Sequence, residues 1–311
     1  MGDASFRGIT GAAAVMLILV LIATAVFIIV QALPAMRHYG VVSFLTQSGW
    51  APSEATATGT HNPYGILQFV YGTVVTSLIG MLIAVPAAVA IALYITDVAP
   101  KSLRRPLSWL IDLLAAIPSV VYGFWGIFAL IPALKPIGTD INNSVGKLPV
   151  IGPVFAGPFF GVSYFTAGII LAIMVLPIIT AICREVFATA PRTEKEAALA
   201  LGATRWEMLR MSVLPRSRSG IVGAAILGFG RAVGETIAVT MVIGNSVLAI
   251  STSIFGQGAT MPSVIANEFT ESTEPFHLSA LFVVAFWLLI VALIVNTVGK
   301  MIVRRAGENI A

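Results

Sequence analysis

The sequence predicts an all-α integral membrane protein of six transmembrane helices, with one structured cytoplasmic segment between helices four and five. Three observations carry that reading. Of 311 residues, 58% are hydrophobic and only 10% are charged, against about 25% charged in a soluble domain. The mean hydropathy is +0.95. Six separate apolar runs occur, each long enough to cross a hydrocarbon core of about 30 Å, which takes about 20 helical residues. Such a composition excludes a soluble globular enzyme.

The first run, residues 9–33, follows a short segment 1–8. It is longer than the core of a signal peptide, and no small-residue cleavage site follows it, so it is expected to persist as a first helix. Runs at 68–96, 107–133, 157–183, 219–247 and 278–303 supply the other five, leaving 304–311 as a tail. Residues 9–303 read as one membrane domain without internal repeats. Pro86, Pro118 and Pro177 fall inside runs. They are expected to bend their helices without ending them, because neighbouring helices and Ser or Thr side chains can satisfy the freed carbonyls.

Basic residues set the expected orientation, since Lys and Arg are retained in the cytoplasm. Arg7, the group Lys101, Arg104 and Arg105, the group from Arg184 to Arg218, and Lys300, Arg304 and Arg305 all fall on one side of a six-span chain. The opposite connections hold only Arg37, Lys135 and Lys147. Both termini are therefore expected in the cytoplasm, with the protein multi-pass in the cell membrane. The net charge of +4 is spread along the chain and forms no basic stripe, which argues against nucleic acid. Cys183 is a single cysteine, and no His or Cys spacing suits a metal. His38, His61 and His277 fall in external connections and read as solvated, as does Asp112 at the cytoplasmic end of the third span.

Most of the cytoplasmic charge lies in residues 184–218. There, Thr193-Glu194-Lys195-Glu196 has the spacing of a capping box, in which the hydroxyl and the carboxylate satisfy each other's backbone amides. Gly202 supplies the left-handed residue that closes a helix. Thr204-Arg205-Trp206-Glu207 forms a second capping box, and Leu214-Pro215 is expected to stop the helix that follows. Ala197, Ala198 and Ala200 leave a surface of little bulk, suited to docking another protein. A plain connecting hairpin with Glu196 as a cap is the other reading.

Glu196-Ala197-Ala198, Gly202 and Leu214-Pro215 resemble the EAA signature of ABC importer permeases, with Ser212 where Ile is usual. Leu113-Leu114-Ala115-Ala116-Ile117-Pro118-Ser119-Val120-Val121-Tyr122-Gly123 and Gly230-Arg231-Ala232-Val233-Gly234-Glu235-Thr236 resemble the PstC-type permeases of bacterial phosphate-specific (Pst) importers. Tyr71-Gly72-Thr73 and Ala266-Asn267-Glu268-Phe269 fit the same group. The resemblance implies the type I, MetI-like permease architecture and a coupling helix seated on an ATPase subunit. It also implies four partners besides phosphate and membrane lipid: a PstA-type permease, two PstB-type ATPase chains that hold ATP and Mg, and a PstS-type external binding protein.

Independently of any family, Arg231 and Glu235 form an ionisable pair well inside the fifth run. On a straight helix entering near residue 220 they would lie roughly 17 Å and 23 Å deep. An isolated Arg at such depth costs about 2.5 to 3.5 kcal/mol on insertion scales, so it needs a partner or water. One reading is a mutual salt bridge that fixes packing. The other is an oxyanion path in which Arg231 offers planar donors and Glu235 keeps the grip weak enough for release. Ser119, Tyr122, Thr236, Thr240 and Asn245 are polar candidates along that path, although for each one alone an ordinary intrahelical or interhelical hydrogen bond is the expected role. Gly230 and Gly234 match a helix-association spacing.

No phosphate-binding loop of the Gly-x-x-x-x-Gly-Lys-Ser/Thr type occurs in the sequence. The chain is thus expected to bind no cofactor and to receive force from a separate ATPase. An ion-coupled secondary carrier using Arg231 and Glu235, or a permease for another oxyanion, stands as the alternative. An intramembrane hydrolase lacks a nucleophile with its base.

Overall fold

A computed structural model describes residues 2–55, 62–248, 250–274 and 276–308. Among them the chain is helical with no named strand, and only isolated bridges join Trp50 to Tyr64 and Gly244 to Gly258. The helices are α1 (Gly2–Tyr39), α2 (Val41–Thr46), α3 (Leu67–Leu93), α4 (Lys101–Ala116), α5 (Ser119–Trp125), α6 (Ile131–Ser144), α7 (Gly152–Phe155), α8 (Tyr164–Ala188), α9 (Arg192–Ala200), α10 (Arg205–Met208), α11 (Leu214–Arg216), α12 (Arg218–Val233), α13 (Ile237–Ile243), α14 (Met261–Glu268) and α15 (His277–Glu308). Five stretches are long and apolar enough to cross a membrane, and α12 with α13 makes a sixth, bent by 65°.

The centre of the bundle is α3 against α8. Gly80, Ala84, Ala88 and Ala92 recur every four residues along α3 and are all buried. Gly80 lies against Leu171 and the Gly168 carbonyl, and Gly168 receives Ile79 in return. Small residues on one stripe let two backbones approach where lipid offers no hydrophobic drive. The α12 helix closes on this pair, with Gly228 over Ile179. A second apolar cluster, at the other end of the bundle, joins the end of α1 to α2, Trp50, Tyr64, α14 and α15. Most of α1 is exposed, and it is anchored near its end by Ala32, Ala35 and Met36, with Phe27 edge-on to Phe282.

Several boundaries differ from expectation, each for a local reason. Pro86 and Pro177 lie inside unbroken helices as expected. Pro118 instead ends one: Ile117 is extended (φ −67°, ψ 127°), as a residue before proline prefers. The stretch 101–116 is therefore a separate amphipathic helix, and the third span begins at Ser119 and runs to Lys147, well past residue 133. The fourth begins at Tyr164, not 157, where the Ser163 hydroxyl accepts from the Thr166 amide. The fifth breaks at 234–236, between α12 and α13.

The 184–218 segment keeps half of its expected signals. Pro191 occupies the cap of α9 with no side-chain bond, so Thr193 is already helical and the first capping box does not form. Pro191 is itself non-helical (φ −59°, ψ 135°), so the chain turns into α9 directly after it. Gly202 closes α9 at φ +88°. The Ala203 amide reaches the Ala198 carbonyl and the Gly202 amide the Leu199 carbonyl, a Schellman closure. The second capping box is present, with Thr204 and Glu207 reciprocally bonded. Leu214-Pro215 does not stop the chain: α11 passes through both after a π turn at Leu209–Val213 and gives way at Ser217. Pro215 falls in the first turn of that segment, where its missing amide is not needed.

Candidate functional site

Arg231 lies in the last turn of α12, and Glu235 follows the break at Gly234. Arg231 Nη1 is 3.1 Å from Glu235 Oε2, and the side chains are 48% and 3% exposed respectively. The other carboxylate oxygen of Glu235 accepts the Ala238 amide at 3.3 Å, at the start of α13. Cation and anion each sit at the helix end that the peptide dipoles favour, the C-terminus of α12 and the N-terminus of α13. The salt-bridge reading is thus satisfied in full for Glu235. Arg231 keeps half its surface open, and donors remain for another acceptor.

The break also changes the depth argument. A straight helix would carry Glu235 about 6 Å beyond Arg231 at about 1.5 Å per residue, whereas here the backbone turns aside between them. Gly230 has no neighbour within reach of an added Cβ, and Gly234 meets only the Gly230 carbonyl of its own helix. The face that carries Arg231 is open in the isolated chain.

The helix α5 packs on α13, with Gly123 against Met241 and Ala238, which places Ser119 and Tyr122 on the element beside α13. Tyr122 is buried, and its hydroxyl donates to the Leu114 carbonyl at 2.8 Å, spanning the Pro118 break. Thr236 precedes α13, and the Thr240 hydroxyl donates to its carbonyl. Asn245, at φ 51°, donates to the Thr240 carbonyl and has a buried Oδ1 with no partner. Most of these polar groups are engaged with backbone, so Arg231 is the open donor set of the region.

The second candidate surface lies at the basic end. Glu196 and Ala197 are exposed on α9, and Ala198 is buried against the chain's own core. Ala198 therefore supports α9 from behind, and what remains exposed of it lies at the floor of the hollow beside α9. Leu201 is 90% exposed and Met211 66%. With Ala197, Ser212 and Pro215 they border a hollow of about 580 Å³. The Ser212 hydroxyl points back to the Glu194 carbonyl, a polar link where the signature usually has Ile.

Two arrangements were missed in the sequence. Asp97 pairs with Lys195 at 2.5 Å, and Glu268 accepts from Trp50 Nε1 at 2.5 Å and lies 2.9 Å from His277 Nε2. His277 is buried, not solvated, because α14 brings Glu268 over it. His38 is exposed and stacks on Phe276, and His61 lies outside the described residues. Asp112 is exposed, 3.4 Å from Arg184. No local signal marks these pairings. The break at 234–236 has no such signal either, since Gly234 is right-handed and Thr236 makes no side-chain cap.

The fold is that of a multi-pass helical membrane protein. The profile of the family "Binding-protein-dependent transport system inner membrane component" matches residues 84–308. The phosphate transport system permease protein PstC of Xylella fastidiosa is 44% identical over 99% of this chain and 92% of its own length. That of Mesorhizobium japonicum is 40% identical over 97% and 90%. Among solved structures, the bacterial alginate ABC transporter matches at 16% identity with TM-score 0.55, over 97% of this chain and 96% of that one. The inward-facing MetNI methionine transporter matches at 20% and 0.52, over 78% and 94%. These two establish the fold alone. The chain belongs to the binding-protein-dependent transport inner-membrane family and, within it, to the PstC-type permeases. It is a permease component of an ABC importer, acting within a complex of other subunits.

Proposed function

We propose that this chain forms half of the translocation path for inorganic phosphate and receives force from a separate ATPase through α9. The observation that carries the coupling reading is the exposed rim of Ala197, Leu201 and Met211 around the hollow beside α9, which Glu194, Arg216 and Arg218 also line. So much apolar surface on a charged segment marks a docking site, and the chain has no phosphate-binding loop of its own. The basic residues at 101–105 and 184–218 support a cytoplasmic location for that surface and for both termini. A PstA-type permease would then cover the open face at Gly230, Arg231 and Gly234. Two PstB-type chains would supply ATP and Mg, and a PstS-type protein would deliver phosphate at the other end.

Arg231 is the proposed contact for the anion. Its fork of donors matches phosphate oxygens, and Glu235 behind it keeps the affinity low enough for release. Ser119, Tyr122 and Thr236 lie on the elements that flank this point.

Pull-down from membranes in mild detergent tests the coupling reading. Ala197→Arg, on the outward face, is expected to lose the ATPase chain that the wild type retains. If the wild type retains no such chain, an ion-coupled carrier is the better account. Phosphate and sulfate uptake by the assembled transporter then distinguishes phosphate from another oxyanion.

A further inference from the structure

We infer that Lys195 is a positioning residue that ties α9 to α3 through Asp97, so that motion of α9 reaches the second span as well as the fourth and fifth. This rests on the reading of α9 as the coupling helix. Chain connectivity joins the segment only to α8 and α12, so any direct link to α3 must be made by side chains.

On α9, Glu194, Glu196, Ala197 and Leu199 face outward, while Lys195 and Ala198, three residues apart, face the protein. Ala198 makes an apolar contact with the core. Lys195 makes a polar one: its Nζ is 2.5 Å from Asp97 Oδ1, with the side chains 15% and 10% exposed. Two other ion pairs hold this region and are looser. Arg216–Glu194 is 51% and 43% exposed, and Arg184–Asp112 is 3.4 Å long. Water screens exposed pairs, whereas a nearly dry pair keeps most of its attraction.

Asp97 stands in the π turn Tyr94–Val98, closed by the Ala99 amide on the Tyr94 carbonyl. Its second oxygen, Oδ2, is buried with no partner, which leaves Lys195 as the charge that compensates it. From Asp97, α3 runs along α8 to Thr73, about 36 Å away at about 1.5 Å per residue. There the Thr73 hydroxyl accepts the Met261 amide at 3.0 Å, and Gly72 lies against the Ala259 carbonyl. A displacement applied at Lys195 is thus carried by one rod to the start of α14 at the opposite end.

The test uses the whole transporter in proteoliposomes, with phosphate uptake and ATP hydrolysis measured on one preparation. Lys195→Met and Asp97→Asn are expected to keep the ATPase chain bound and to lower phosphate moved per ATP about tenfold. The reversed pair, Asp97→Lys with Lys195→Asp, is expected to restore most of that ratio. An unchanged ratio in both single variants overturns the inference, as does a reversed pair that assembles yet stays uncoupled. If a single variant does not assemble, the ratio of the reversed pair decides. Failure of all three to assemble assigns the pair to folding alone and also overturns it. Ala197→Arg separates the two readings: an ATPase chain still bound there removes the coupling-helix reading itself. Its loss there, with a normal ratio in Lys195→Met, removes only the link to α3.

Discussion

Arg231 and Glu235 face each other across a gap in the fifth span, one at the end of α12 and the other just before α13, with nitrogen and oxygen 3.1 Å apart. The pair is unequal, with Arg231 half open and Glu235 buried. An approaching anion can therefore reach the cation and not the carboxylate, and it must compete with Glu235 for the guanidinium. That competition is what the proposed transport role requires. The same bond also braces the break, since Glu235 holds the Ala238 amide with its other oxygen.

Glu235→Gln separates these roles. The amide oxygen can still accept from Ala238, so the chain is expected to fold and insert normally. Arg231 loses its competitor and retains the anion longer, and phosphate uptake is expected to fall about tenfold. Unchanged uptake in reconstituted transporter would leave the pair a brace only.

At the other end of the molecule, Glu268 serves two donors at once, Trp50 and His277, with Tyr64 stacked on the imidazole. Burial, followed by the neighbouring Tyr39, Glu274 and Glu268, pushes the Tyr64 hydroxyl pKa well above its ordinary value. Glu268→Leu leaves two part-buried donors without an acceptor, each costing about 1 to 3 kcal/mol. The unfolding midpoint in detergent is expected to drop by several degrees, and Glu268→Gln to drop less, because one acceptor survives. Equal midpoints for all three proteins would show that the cluster adds no stability.

Two glycines make a contrast. A methyl group on Gly72 would meet the Ala259 carbonyl oxygen, which is backbone and cannot step aside, whereas one on Gly230 would meet nothing. Gly72→Ala is expected to destabilise the chain by about 1 to 3 kcal/mol through overpacking. Gly230→Ala is expected to leave the unfolding midpoint of the isolated chain unchanged, and bulkier Gly230→Leu to weaken pairing with a second permease. Native gel mass and thermal unfolding check both.

The Thr204 backbone amide, and secondarily its hydroxyl, hold the Glu207 carboxyl below the ordinary glutamate pKa. Because the folded value is depressed, the contribution of this cap is complete above the ordinary value and is lost as pH falls through the lowered one. Carbon-detected NMR titration of labelled Glu207 is expected to show the depression. Thr204→Val should return part of it, since the amide remains. A wild-type value at or above the ordinary range would contradict the cap.

Composition and hydropathy were enough to place the chain in a membrane and to count its spans, because the cost of burying backbone and charge in lipid acts on every residue of a run and sums over about 20 of them. Local chemistry was equally legible where it involves neighbours in sequence, as at Gly202 and in the Thr204–Glu207 box. Prolines account for two misreadings: Pro191 starts α9 two residues before Thr193, and Pro118 holds Ile117 extended and ends α4. The pairings of Asp97 with Lys195, 98 residues apart, and of Trp50 with Glu268, 218 apart, had no trace in the sequence. A buried charge has to find a partner, but which partner depends on how whole helices pack, and only the folded bundle brings those side chains within reach.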